Sequence, residues 1–200
     1  MKQKLKIGFD LDGVLLYNPA RIIRPLISTL KEKEVCIHRK ELEFYVPQKK
    51  WEELMWELFH KSSIFVAPGF DQIKKLRNKG LIEPYLVTGR YAHLKNDFEH
   101  WKKKMGAEDI FKKTMMNDKN QQPHLYKEKI IKQFDLDIFI EDNWDIVNYL
   151  AHSAPTLNKK NSKKRQILWI TNFIDSKKID YQFKFNNLKQ VLAHICLQIA

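Results

Sequence analysis

The sequence lacks the features of several classes of protein. It has only two cysteines, Cys36 and Cys196, which lie far apart and match no metal-binding or redox spacing. We therefore expect reduced thiols and no disulfide framework. No run of apolar residues approaches the roughly 20 that cross a bilayer, and Asp10 and Asp12 break the first apolar stretch, which a signal peptide would not tolerate. These absences predict a cytoplasmic protein without a membrane partner.

Acidic residues are also few relative to basic ones. The chain has 24 Asp and Glu against 36 Lys and Arg, a net charge of +12, which is compatible with nucleic acid, an acidic membrane surface or an anionic small substrate. Only residues 158–165, NKKNSKKR, form a dense basic run without an acid, and this run is typical of a solvated loop. The scattered charge therefore argues against a nucleic-acid partner.

Short apolar runs alternate with helical patterns over most of the chain. The runs are residues 5–9, 85–88, 137–142 and 167–171, with a weaker one near 110–116. Apolar residues at helical spacing lie between and after them, at 70–79, 94–105, 126–134, 144–152 and 188–195. Strands that alternate with helices predict an α/β, Rossmann-like fold, in which helices cover both faces of a parallel sheet.

Residues 18–65 interrupt this alternation and predict a small helical insertion. One helix is expected over residues 19–31, and a second is indicated by an apolar face of Trp51, Leu54, Met55, Leu58 and Phe59. The predicted organisation is therefore a core domain made of residues 1–17 and 66–200, with a small helical cap at 18–65.

Polar residues follow three of the predicted strands. Asp10 and Asp12 come after the first, Thr88, Gly89 and Arg90 after the second, and Glu141 and Asp142 after the fourth. In an open α/β sheet, ligands bind beyond the carboxyl ends of the strands. Each motif alone is weak, because Asp-Gly and Thr-Gly are common turns, but their ordered occurrence indicates a shared site.

These residue types suit phosphoryl transfer. Carboxylates from two strand ends make an oxygen-rich site for Mg²⁺, and an aspartate can attack phosphorus to form an aspartyl-phosphate. A second carboxylate two residues away can protonate the leaving oxygen and later activate water. A threonine hydroxyl, backbone N–H groups and a lysine would hold the phosphoryl oxygens.

The motifs DLDGVL, YLVTGR, a downstream lysine and FIEDN together resemble the four-motif signature of the haloacid dehalogenase (HAD) superfamily, in its phosphatase branch. The resemblance covers residues 5–16 and about 66–150 and does not extend to the insertion, which occupies the position of the first cap in that superfamily. The Thr-x-Arg motif with a later Phe-Ile-Glu-Asp is most similar to the 5'-nucleotidase-like branch, whose closest named relatives act on deoxyribonucleotides.

The resemblance implies a role for each motif residue. Asp10 would be the nucleophile and Asp12 the general acid and base. Thr88, Gly89 and Arg90 would bind the substrate phosphate, although Arg90 could instead pair with a core acid. The resemblance also implies that Mg²⁺ is held by Asp10, Asp142 and the main-chain carbonyl of Asp12.

Two positions leave alternatives open. Lys127 fits the spacing of the motif lysine best and is our prediction for the third catalytic residue, but Lys129 and Lys132 lie nearby. Many relatives have another acid where this chain has Ile146. Glu141 or Asp145 could contact a metal-bound water in its place, or neither could.

Aromatic residues in and beside the insertion are candidates for stacking on a nucleobase. They are Tyr17, Phe44, Tyr45, Trp51, Trp56 and Phe59. The helical spacing of the last three is more typical of core packing.

The sequence therefore predicts a Mg²⁺-dependent phosphomonoesterase that forms an aspartyl-phosphate and acts on a small phosphorylated metabolite, a nucleoside monophosphate in the first instance. The alternatives are a sugar-phosphate phosphatase or mutase, or a non-catalytic module that binds nucleic acid.

Overall fold

The computed structural model describes residues 4–17, 42–61, 63, 65–153, 165–171 and 175–199. The strands in these ranges are β1 (Leu5–Phe9), β2 (Leu16–Tyr17), β3 (Phe65–Val66), β4 (Ile82–Thr88), β5 (Lys113–Met116), β6 (Ile138–Glu141), β7 (Gln166–Ile170) and β8 (Lys184–Phe185). The helices are α1 (Lys50–Lys61), α2 (Phe70–Asn78), α3 (Lys95–Met105), α4 (Ala107–Ile110), α5 (Pro123–Phe134), α6 (Trp144–Ser153), α7 (Asp175–Lys178) and α8 (Leu188–Ile199). In these ranges no helix is both long enough and apolar enough to cross a membrane.

Six strands form one parallel sheet in the order β5-β4-β1-β6-β7-β8. Strand β1 lies between β4 and β6, with Phe9 aligned to Leu86 on one side and to Ile140 on the other. The three strands followed by polar motifs are therefore direct neighbours, and their carboxyl ends meet at one edge. The predicted α/β fold with a parallel sheet is confirmed.

Helices cover both faces of this sheet because the strand residues alternate in direction. Ile7 and Phe9 of β1 face a core built with α2, α3, α4 and α8. Val87 of β4 and Phe139 of β6 face a second core, built with α5 and α6. The central strands are buried on both sides, which explains why they read as continuous apolar runs.

The two ends of the predicted insertion lie side by side. Strand β2 pairs antiparallel with β3, with Leu16 opposite Val66 and Tyr17 opposite Phe65. The chain turns away from the sheet at Gly13, whose φ of 80° favours glycine. The helix predicted over residues 19–31 lies outside the described residues.

The second predicted helix of the insertion is present as α1, but the expectation that Trp51 is a core residue is wrong. Trp51 is 62% exposed. His60, nine positions later and so on the opposite side of the helix, is buried beside Trp56, at a ring-centroid distance of 6.3 Å. The packed face of α1 is therefore the one carrying His60, and the face of Trp51, Leu54, Met55 and Leu58 is more than half exposed.

The smallest elements differ most from the prediction. The start of the weak strand predicted at 110–116 is helical as far as Ile110, and β5 begins only at Lys113. Strands β2, β3 and β8 have two residues each, too few to show a periodic pattern.

Candidate active site

Asp10 directly follows β1, and the hydrogen bonding of the sheet extends to it. Its N–H donates to the carbonyl of Ile140 at 3.0 Å, which continues the pairing between β1 and β6 by one residue. This bond brings Asp10 beside Glu141 and Asp142, which follow Ile140 in the chain. Asp10 is buried, with 4% of its surface exposed.

Asp10, Glu141 and Asp142 form a buried acidic cluster. Each has a carboxylate oxygen within 4.8 Å of the other two. The ammonium group of Lys127 lies within this cluster, with its Nζ 2.9 Å from Oδ1 of Asp10 and 2.6 Å from Oε2 of Glu141. The cluster thus holds three acids and one ammonium group, which contacts two of them, and its excess negative charge is costly to bury without a further cation.

The pKa values in the cluster follow from this arrangement. Burial raises the pKa of Asp10 to about 6 and that of Glu141 to about 8, although Lys127 acts against both shifts. Burial would lower the pKa of Lys127, but the charges of Asp10 and Glu141 outweigh it and raise that pKa above its ordinary value. Lys127 therefore stays positively charged at neutral pH.

The donor set fits Mg²⁺, which prefers oxygen ligands and few protein carboxylates. Glu141 is already engaged: its Oε1 accepts N–H bonds from Asp142 at 3.0 Å and Asn143 at 2.9 Å, and its Oε2 accepts from Lys127. Asp10 and Asp142 are therefore better able to hold a metal. The backbone at Asp142 is fixed by the indole of Trp169, whose Nε1 donates to the Asp142 carbonyl at 3.1 Å.

Of the three candidate lysines, only Lys127 reaches the cluster. It lies in the first turns of α5 with 3% of its surface exposed. Lys132 instead forms an ion pair with Glu128 at 2.7 Å on the helix surface, and Lys129 is exposed.

Thr88 and Gly89 connect β4 to the site. Thr88 is buried, and its Oγ1 accepts the N–H of Arg90 at 3.2 Å. A Cβ atom at Gly89 would lie 3.0 Å from Cβ of Pro123 and 3.5 Å from Cε of Lys127. Glycine at this position thus allows the start of α5 to pack closely against the end of β4.

Arg90 pairs with two acids, which is the second of the two possibilities left open by the sequence. Its Nε donates to Oδ2 of Asp12 and its Nη2 to Oδ1 of Asp12, both at 2.7 Å, and its Nη1 donates to Oδ2 of Asp97. Burial would lower the pKa of Arg90, but these ion pairs outweigh it and raise that pKa. Asp12 is held at the site edge by this fork.

The other positions considered near the metal are placed differently. Ile146 is buried in the apolar core, and Asp145 is exposed on the first turn of α6. Glu141 is the acid that lies inside the cluster.

Phe44 and Tyr45 of the predicted insertion contact the core. Gln122 holds the backbone of Phe44 from both sides, accepting its N–H at 2.7 Å and donating to its carbonyl at 3.1 Å. The hydroxyl of Tyr91 donates to the carbonyl of Tyr45 at 3.3 Å. The ring of Tyr45 is 57% exposed and lies 6.2 Å from that of Trp56.

These contacts bear on the candidate stacking residues. The backbone of Tyr45 contacts Tyr91, the residue after Arg90, and the ring of Trp56 lies 6.2 Å from the Tyr45 ring. Tyr17 instead stacks on Phe65 at 4.9 Å, Trp51 lies on the exposed face of α1, and the side chain of Phe59 lies outside the described residues.

Sequence reasoning missed two residues that complete the site. Asp97, which binds Arg90, and Gln122, which binds Phe44, lie outside the motifs. The available signals were weak: Asp97 is an acid in the first turn of a helix, and Gln122 directly precedes the proline that opens α5.

Comparison with known proteins supports the fold. No protein-family model matches the sequence, and no curated protein matches it. Among solved structures, a HAD hydrolase of family IA, variant 3, from Entamoeba histolytica is 12% identical with a TM-score of 0.59, over 98% of this chain and 99% of that one. The HAD-hydrolase YfnB from Bacillus subtilis, bound to magnesium, is 14% identical with a TM-score of 0.57, over 98% and 100%.

CbbY from Rhodobacter sphaeroides, solved as a mutant in complex with xylulose-(1,5)bisphosphate, is 14% identical with a TM-score of 0.56, over 94% of this chain and 96% of that one. At such identities the similarity shows a shared fold. The fold that the sequence resemblance implied, that of the HAD-superfamily hydrolases, is therefore confirmed, and the 5'-nucleotidase-like branch stays a prediction.

Proposed function

We propose that this protein is a Mg²⁺-dependent phosphomonoesterase that works through an aspartyl-phosphate on Asp10. The observation that carries the proposal is the buried cluster of Asp10, Glu141, Asp142 and Lys127 at the carboxyl edge of the sheet. It has a carboxylate beside a fixed ammonium group and an excess of negative charge suited to a divalent cation. The shared fold with HAD hydrolases, one of them bound to magnesium, supports it.

In the first step, a carboxylate oxygen of Asp10 forms a bond to phosphorus and the bond from phosphorus to the ester oxygen breaks. Asp12 gives a proton to that leaving oxygen, so that an alcohol departs. The pKa of Asp10, about 6, leaves it ionised and nucleophilic at neutral pH. The Lys127 ammonium offsets the negative charge that Asp10 and the phosphoryl group bring together.

In the second step, water attacks phosphorus and the bond to Asp10 breaks. Asp12 takes the proton of that water, and inorganic phosphate leaves with the Asp10 carboxylate restored. The Thr88 hydroxyl and the backbone at Gly89 hold the phosphoryl oxygens through both steps. Mg²⁺, held by Asp10, Asp142 and the main-chain carbonyl of Asp12, would neutralise charge between the carboxylate and the phosphoryl group.

The substrate class we propose is a nucleoside monophosphate. The exposed ring of Tyr45, tied by its backbone to Tyr91 and close to Trp56, offers an aromatic surface near the phosphate-binding turn. A sugar phosphate is the second candidate, because CbbY in the comparison carries a sugar bisphosphate.

The test is phosphate release from p-nitrophenyl phosphate by the purified protein, with Mg²⁺ and with EDTA. We expect Mg²⁺-dependent turnover, its loss in Asp10→Asn, and a hydroxylamine-labile phosphoenzyme in rapid-quench samples of the wild type only. Asp109→Asn is the matched control, since Asp109 is exposed on α4, before β5 begins. Normal turnover in Asp10→Asn would contradict the mechanism, and a panel of nucleotides and sugar phosphates distinguishes the two substrate classes.

A further inference from the structure

We infer that Arg90 is a positioning residue that acts through Asp12, and that it does not bind the phosphate of the substrate. The inference rests on the proposed function, since it concerns the same reaction. It changes the role that the motif Thr-Gly-Arg suggests for this arginine, which is that of a phosphate ligand.

The contacts of Arg90 assign it to Asp12. Two of its nitrogens donate to the two oxygens of one carboxylate at 2.7 Å each, and a third donates to Asp97. This is the parallel two-bond geometry in which guanidinium and carboxylate match best. Asp97 comes from α3, so Arg90 is fixed on the side away from Asp12 as well.

Burial leaves Arg90 little capacity for a second anion. Its side chain is 1% exposed, whereas those of Asp12 and Asp97 are 13% and 15% exposed. Asp12 and Asp97 occupy three of its five N–H groups, and the other two lie in a nearly closed environment. Moving the guanidinium toward a phosphate would break one of these buried pairs and leave an uncompensated charge, which is strongly unfavourable.

The same contacts fix the orientation of Asp12. Asp12 follows the end of β1 and precedes Gly13, where the chain turns, so the backbone alone does not determine where its carboxylate points. The Arg90 fork binds one lone pair on each oxygen and fixes the plane of the carboxylate. The fork thereby orients Asp12 for the proton exchange with the leaving group and with water that the proposed reaction requires.

The experiment combines Arg90→Lys with Asp12→Asn in a double-mutant cycle, because lysine keeps the charge but loses the fork. We expect Arg90→Lys to lower kcat/KM by about 10- to 100-fold, since a small misplacement of a catalytic group has that effect. The inhibition constant of inorganic phosphate should change less than about twofold. In the Asp12→Asn background, Arg90→Lys should change kcat/KM less than about threefold. The same substrate, p-nitrophenyl phosphate, is used in both backgrounds, because the two effects of Arg90→Lys can be compared only on one substrate.

A direct phosphate ligand would give the opposite pattern. Arg90→Lys would then weaken phosphate inhibition by about tenfold or more and would cost the same in both backgrounds, and either result overturns the inference. If Arg90→Lys fails to fold, the second variant is Asp97→Asn, which removes the ion pair between Asp97 and Arg90 and leaves the Arg90–Asp12 pair in place. It should lower kcat/KM several-fold with an unchanged phosphate inhibition constant, and an unchanged kcat/KM would count against the inference.

Two controls complete the experiment. Arg77→Lys makes the same substitution at an exposed arginine of α2 and should have no effect. If the wild type releases no phosphate, the proposed function fails and this inference fails with it. If the wild type is active and only the cycle gives the wrong pattern, the inference alone is overturned.

Discussion

Lys127 Nζ lies 2.6 Å from Oε2 of Glu141, and both residues are buried. Because Glu141 is itself fixed by the N–H groups of Asp142 and Asn143, it sets the position of the ammonium group beside Asp10. The lysine and the glutamate are thus one unit, with the lysine facing the nucleophile and the glutamate behind it.

We therefore expect Glu141→Gln to lower kcat about 10-fold and Lys127→Met to lower it about 100- to 1,000-fold, the range for losing one electrostatic group at a reacting centre. The measurement is steady-state kinetics with p-nitrophenyl phosphate and Mg²⁺. Lys132→Met is the matched control, because Lys132 lies on the same helix but on its surface. Equal losses at Lys132 and Lys127 would contradict this role.

Gly89→Ala should lower activity more than stability. The added Cβ meets Pro123 at 3.0 Å, so the start of α5 must move away from β4 and carry Lys127 with it. We expect a loss in kcat/KM of about 10-fold, from the misplacement argument, with a melting temperature close to that of the wild type.

Gly106→Ala provides the converse control. Gly106 ends α3 with a φ of 60°, and nothing lies within 4 Å of its added Cβ. That change should lower the melting temperature and leave kcat/KM unchanged. If Gly89→Ala, like Gly106→Ala, lowers only the melting temperature and leaves kcat/KM unchanged, the prediction for Gly89 is wrong.

Mg²⁺ should raise the melting temperature of the wild type, because a ligand that binds only the folded state stabilises it by about 2.7 kcal/mol at 100 times its Kd. Asp142→Asn should abolish this shift. Without Mg²⁺ the variant should melt above the wild type, since it relieves repulsion between two buried carboxylates.

Asp145→Asn, at an exposed acid in the first turn of α6, should keep the full Mg²⁺ shift. A lost shift at Asp145 and a retained one at Asp142 would show that the metal lies elsewhere. The measurement for all three proteins is the melting temperature, monitored by circular dichroism with and without Mg²⁺.

The stability of the metal-free protein should fall as the pH rises from 5 to 8.5. The pKa of Asp10 is about 6 against 3.8 ordinarily, and that of Glu141 is about 8 against 4.5. Above the ordinary values the unfolded chain has lost these protons while the folded protein still holds them, so each further rise in pH favours unfolding until the folded pKa is passed.

Melting temperatures in EDTA across this range provide the measurement. Glu141→Gln should fall less steeply than the wild type at every pH in this range, should lose nearly all of the fall between pH 6 and 8, and should keep the part due to Asp10. A wild-type profile parallel to that of Glu141→Gln would contradict the raised pKa of Glu141. With Mg²⁺ the wild type should gain most above pH 6, because the metal binds the ionised form of Asp10.

Gln122→Ala should affect large substrates more than small ones. It removes both bonds to the Phe44 backbone, and with them the fixed position of the segment that carries Tyr45. We expect kcat/KM for a nucleoside monophosphate to fall about 5- to 10-fold, as expected for one or two lost hydrogen bonds, with p-nitrophenyl phosphate little affected. Gln72→Ala, at an exposed glutamine of α2, is the control.

Local patterns predicted the central strands and the helices that pack on them. Strands such as β1 and β6 are short apolar runs that end in acids, and a helix such as α3 ends at a glycine, so each can be recognised from a few neighbouring residues. The parallel arrangement alone predicted that the polar residues after these strands meet at one edge of the sheet.

Contacts between distant segments could not be predicted in the same way. Arg90 and Asp12 are 78 positions apart, and nothing local shows whether an arginine next to a phosphate-binding turn faces the substrate or an acid. The exposed face of α1 was misassigned for the same reason, since helical spacing of apolar residues shows that they share a face but not what covers it.

Tyr17 and Phe65 stack at a ring-centroid distance of 4.9 Å, where the chain leaves the core and returns to it. The two chain connections of the predicted insertion therefore lie side by side, and the number of residues between them can change without altering the spacing of Asp10, Thr88 and Asp142. A two-residue turn grafted between β2 and β3 would close the core without the insertion. Substrate preference could thus be exchanged between proteins of this fold by transplanting what lies between those two rings.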